Sequence, residues 1–225
     1  MFFDPMYFII VGPGILLSLL AAAWVKSSFA KFSRVAASSG ITGAEAARRI
    51  LAANGIRDVD VELHEGFLSD HYHPVKKVVR LSPDVYNGTS IAALGVAAHE
   101  VGHAIQHHQR YALMTLRQSL VGPANLGANF SYILIIFGFI LQATGLVWIG
   151  IMLFSAVVLF QLVTLPVELD ASRRAKLKLA AAGIVSPTEV PYVSKVLTAA
   201  AMTYLAAVIT SVLQLVYFIT IARDD

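Results

Sequence analysis

"FSYILIIFGFILQATGLVWIGIMLFSAVVLFQLVTLPV", Phe130–Val167, runs for 38 residues without one Asp, Glu, Lys or Arg. A helix needs roughly 20 apolar residues to cross the ~30 Å of hydrocarbon in a bilayer. The tract is too long for one span, and the break belongs at "QATG", Gln142–Gly145, where polar and small residues interrupt it. The earlier of the two spans must then begin upstream of Phe130, near Leu120. Two further runs of the same kind lie outside the tract: "FIIVGPGILLSLLAAAWV", Phe8–Val25, and Val196–Ala222. The chain reads as a mainly α membrane protein with four transmembrane helices. Composition agrees, with 57% hydrophobic and 14% charged residues against about 25% charged in ordinary globular chains.

The first run lacks the basic leader of a signal peptide and is preceded by Asp4, so it is expected to remain as a span;. Four alternating spans place Lys26–Arg117 and Arg173–Lys195 on one side, which then holds 16 of the 17 basic residues. The positive-inside rule makes that side cytoplasmic. The formal net charge of +3 is accounted for by topology and headgroup contact. No basic patch interleaved with aromatics points to nucleic acid. Zero cysteines exclude disulfides and thiolate ligands.

This gives a first span over 1–25, a cytoplasmic segment over 26–118, spans two and three over 119–167, a second cytoplasmic segment over 168–195, and a fourth span with a short tail over 196–225. The larger segment opens with "KSSFAKFSRVAASSG", Lys26–Gly40, an amphipathic stretch expected to lie at the membrane surface. "TGAEAARRILAANG" follows, with Thr42 and Glu45 as a capping box and Gly55 as a left-handed stop;. "VDVELHEG" and "KKVVRLSP" read as strands, joined by "GFLSDHYHPV" as a loop;. "YNGTS" then supplies the turn and cap of a helix.

That helix carries "ALGVAAHEVGHAIQHHQ", Ala93–Gln109. His99 and His103 stand one turn apart, so both imidazoles project from one face toward a single ion. Zinc takes nitrogen ligands in a roughly tetrahedral shell, and a catalytic site keeps one position open. Glu100, beside His99, is placed to accept a proton from the water acidified there and pass it on, as in the H-E-x-x-H pattern. Gly102, between the two histidines, allows another element to approach. As ordinary core residues, two histidines and a glutamate amid "AALGVAA" and "AI" would be costly to bury.

A third protein ligand is required. His107 continues the four-residue spacing but lies about 12 Å along the axis from His99, too far for a shared ion. His107 and His108 are therefore expected to face solvent or headgroups. Glu168, in "LPVELDASRR", follows span three directly, at an exit bent by Pro166. Asp170 is two positions on and could orient an imidazole. Topology does not choose between these two carboxylates as ligand.

With these residues identified, the sequence resembles the membrane-bound neutral zinc metallopeptidase family (YugP-like) over nearly its whole length. "TGAEAARRIL", "DHYHP", "KVVRLSPDVYNGTSIAALGVAAHEVGHAIQH" and "LPVELDAS" carry the resemblance. It implies a zincin-like α+β cytoplasmic segment, Zn2+ bound by His99, His103 and Glu168, and Glu100 as catalytic acid and base. It also implies a place in the plasma or inner membrane of a prokaryotic cell. The CAAX-processing membrane peptidases are more distantly similar, with a glutamate ligand in an E-x-x-x-D pattern. Here that frame runs from Glu168 to Ser172, which leaves the supporting role of Asp170 open. By the same resemblance "KKVVRLS" is the strand whose edge receives the substrate backbone. A donor for the oxyanion is expected among His71, Tyr72, Arg173 and Tyr192.

The partners expected are the lipid bilayer and a peptide or membrane-protein substrate. A site-2-type intramembrane protease is a competing reading, but "QHHQRYALMTLRQ" after the motif is polar and that class's aspartate-ligand motif is missing. A metal transporter is another. Against it, the spans carry no charged residue within their apolar runs.

Overall fold

A computed structural model describes residues 4–66 and 69–223. In chain order the elements are α1 (Pro5–Phe32), α2 (Gly43–Ala53), β1 (Asp60–Leu63), β2 (His71–His73), β3 (Val78–Leu81), α3 (Pro83–Tyr86), α4 (Ile91–His108), α5 (Ala112–Ile140), α6 (Thr144–Ala181) and α7 (Val190–Arg223). Four of them, α1, α5, α6 and α7, are long and apolar enough to cross a membrane. The chain divides into two compact units. One comprises α1 up to Ala22, Ala112–Pro166, and α7 from Met202; the other comprises Ala23–Tyr111 and Val167–Ala201.

The first unit is a helical bundle. Its interior is packed by Val11, Ile135, Ile151, Phe154, Tyr217 and Phe218, among others. Outward-facing side chains are also apolar: Ile9 is 74% exposed and Met152 70%. Such a surface would be unfavourable in water and suits lipid. The uncharged tract divides where expected, with α5 ending at Ile140 and α6 starting at Thr144. Gln142 turns the chain in a left-handed conformation, φ 55°. Close packing of α5 on α6 depends on small residues, as in membrane bundles generally. A Cβ on Gly127 would lie 2.4 Å from the carbonyl oxygen of Leu153, and one on Gly138 would lie 2.6 Å from a Val147 methyl.

The second unit packs a three-stranded sheet and α2 around α4. The amphipathic α2 turns Ala46, Ala47, Ile50 and Leu51 inward. Thr42 Oγ1 accepts the Glu45 amide at 3.2 Å, as a cap should. The Glu45 carboxylate instead accepts from Arg49 at 2.8 Å, so the reciprocal half of the expected box is spent on an ion pair. Gly55 ends the helix with φ 72°, which glycine adopts without steric cost.

Three expectations need correction here. The stretch from Lys26 is not a separate surface helix: α1 continues through it to Phe32, because no glycine or proline intervenes and Phe29 and Phe32 are buried. The loop "GFLSDHYHPV" contains a strand. Its Phe67 and Leu68 lie outside the described residues, but His71–His73 pairs antiparallel with β3. Asp70 anchors this strand at its start by accepting the Ser82 amide at 2.8 Å and the Ser82 hydroxyl at 3.1 Å. Finally, β3 is the central strand, in the order β1-β3-β2, parallel to β1 and antiparallel to β2. With a neighbour on both sides, the strand within "KKVVRLS" has no free edge for substrate.

Candidate metal centre

The site is built on α4. Ser90 Oγ caps the helix by accepting the Ala93 amide at 3.2 Å. Ala92, Leu94, Ala97, Ala98, Val101 and Ile105 are buried, so the helix is held on most of its circumference. His99 and His103 project from one face with ring centroids 4.8 Å apart and planes at 83°. Helix α6 passes close by because Gly102 lacks a side chain: a Cβ there would lie 2.7 Å from the Ala171 carbonyl oxygen. This contact brings in Glu168, which is 2% exposed.

Glu168 Oε2 lies 3.1 Å from His99 Nε2 and 3.4 Å from His103 Nε2. The ligand atoms of all three residues lie within 4.8 Å of one another. The other ring nitrogens point away to partners of their own. His103 Nδ1 is 3.0 Å from Gln106 Oε1, and His99 Nδ1 is 3.1 Å from Ser172 Oγ. Both Nε2 atoms are therefore turned toward one carboxylate oxygen. Two imidazoles and a carboxylate, with the rings oriented from behind, fit the donor set of zinc.

Glu100 is not part of this trio. Its Oε2 accepts the backbone amide of Tyr72 in β2 at 2.9 Å. Burial pushes its carboxyl up from 4.5 to about 7, against a lowering by His99.

Residues 7–223 match the family described as "Putative neutral zinc metallopeptidase". The chain belongs to that family. It is also similar to the "Putative membrane protease YugP" of Bacillus subtilis (strain 168), with 49% identity over 212 residues, covering 93% of this chain and 94% of that protein. No solved structure matches it.

Within this metallopeptidase family member, the remaining sequence candidates fall in different places. Asp170 does not touch an imidazole. It accepts from Gln106 Nε2 at 2.9 Å, from Arg173 at 2.8 Å, and from Arg174 Nε. The position where the CAAX-type pattern has Asp is filled by Ser172, and it is Ser172 that meets His99. His107 does not simply face outward: its Nδ1 is 2.8 Å from the Tyr72 hydroxyl, whereas His108 is exposed. Of the oxyanion candidates, Tyr72 alone bonds directly to Glu100, through its backbone. His71 Nδ1 is 2.8 Å from the Ser69 carbonyl oxygen, Arg173 is held by Asp170, and the Tyr192 ring stacks on Phe32. Gln106 and Ser172 were missed in the sequence. Their signal was spacing, three residues after His103 and four after Glu168, which puts each on the face of its helix that carries the ligand.

Proposed function

We propose that this protein is an integral-membrane zinc peptidase that hydrolyses peptide bonds at the cytoplasmic face, with Glu100 as general base and acid. The observation that carries the reading is the convergence of one ligand atom each from His99, His103 and Glu168 within 4.8 Å of one another, with the buried Glu100 carboxyl one residue from the first ligand. His99, His103 and Glu168 would hold the zinc, which when bound would supply a Lewis acid able to polarise a peptide carbonyl and acidify water. Glu100 takes the proton and delivers it to the leaving amine. Tyr72 steadies that carboxylate through one oxygen.

The strand assigned to receive substrate is β2. It lies at the edge of the sheet, and its Tyr72 amide already reaches Glu100, so a peptide extended along it would run past the base. Substrates at the membrane are favoured because Glu168 follows directly on the apolar stretch of α6 ending at Val167. An intramembrane site gains no support from α4, which is not among the helices long and apolar enough to span.

The detergent-purified chain is expected to cleave members of an unbiased peptide library. Turnover should disappear with a zinc chelator and return when zinc is added back. Cleavage that persists at full strength after the metal has been stripped would contradict the proposal.

A further inference from the structure

His103 and His99 are held from behind in chemically different ways. Behind His99 is a hydroxyl, which can donate or accept. Behind His103 is an amide oxygen, which can only accept, provided the amide of Gln106 is oriented as described. That orientation is over-determined. Gln106 is fully buried, and its Nε2 lies 2.8 Å from the Val167 carbonyl oxygen and 2.9 Å from Asp170 Oδ2. Both of those are acceptors, so the NH2 must face them and the oxygen must face His103. A neutral ring would then carry its proton on Nδ1 and keep Nε2 free to ligate a metal. Asp170 is itself fixed by Arg173 and Arg174, and Arg174 also donates to Gln109 at 2.6 Å.

We infer that Gln106 is the positioning residue that fixes the ring and tautomer of His103 for metal, and that Asp170 acts on His103 only through Gln106. The inference rests on the zinc site proposed above and assigns a role to a residue outside its ligand set. The chain of contacts links a guanidinium pair on α6 to one ligand on α4. It makes His103 the rigid member of the pair and leaves His99 the adaptable one.

The test reads metal binding on the full-length purified chain, by chelator competition for zinc and by the visible absorption of the cobalt(II)-substituted protein. Gln106→Met keeps length and bulk but removes the acceptor, and is expected to weaken zinc binding by roughly 10- to 100-fold. Asp170→Ala should weaken zinc in the parent but add nothing in the Gln106→Met background, since groups acting in series are non-additive. Cobalt bands should shift in Gln106→Met at full occupancy, which a general loss of stability would not produce.

Zinc bound as tightly by Gln106→Met as by the parent would overturn the inference. So would an equal cost of Asp170→Ala in both backgrounds. If Gln106→Met fails to fold, Asp170→Ala decides alone: unchanged zinc affinity together with unchanged cobalt bands would overturn it. A parent that binds no zinc would remove the proposed function as well, whereas a zinc-binding parent unaffected by these changes would remove only the role of Gln106.

Discussion

Glu100→Gln is expected to keep zinc bound and to lower peptide turnover by roughly 100- to 10,000-fold, the range that a positioned general acid–base contributes. The substitution is nearly isosteric, so the packing of α4 is preserved. Its amide can still take the Tyr72 hydrogen bond through its oxygen. What it cannot do is accept a proton from water and return it to the departing amine. The ligands His99, His103 and Glu168 are untouched, so metal content should stay at the parent level. Turnover and bound zinc measured on the same preparation check both halves. Parent-level cleavage by Glu100→Gln would remove the proton-transfer role, and loss of zinc would mean that Glu100 belongs to the ligand set.

The second large effect is on the metal itself. Glu168→Ala is expected to weaken zinc by more than about 100-fold, beyond the usual cost of losing a group that only orients a ligand. Glu168 is the one member of the trio supplied by α6, and its Oε2 is the atom both Nε2 nitrogens approach. Without it the two imidazoles of α4 remain, a pair with no anionic partner among the proposed ligands. Turnover should fall with occupancy and recover only partly at high zinc. Zinc titration of parent and variant side by side measures the difference. Equal affinity would take Glu168 out of the site.

Much of this arrangement was legible because the chemistry leaves a strong local trace. An uncharged 38-residue tract admits few foldings other than two spans with a turn, and the turn fell at Gln142. His99 and His103 announce a shared face by spacing alone, and Gly102 announces a close neighbour. The three residues whose ligand atoms the structure brings together had all been singled out in the sequence.

What was hidden depends on tertiary context. Strand β2 is three residues long, His71–His73, too short to show a period, and it exists because β3 pairs with it and Asp70 anchors its start. The extension of α1 to Phe32 was obscured by a change in polarity that does not break a helix. Gln106 looked like one more polar residue in "AIQHHQ". Only the approach of α6, with Val167 and Asp170 as acceptors, gives its amide an orientation and thus a role. Ser172 looked like a departure from a pattern, yet it occupies the place from which His99 is reached.

The most direct test of the central claim is the zinc-edge X-ray absorption spectrum of the purified full-length chain loaded with one equivalent of zinc. The account predicts a first shell of nitrogen and oxygen at about 2.0–2.2 Å, with outer-shell scattering from two imidazoles that falls when His99 or His103 is replaced. An ion surrounded by oxygen alone, with no imidazole signal, would contradict it.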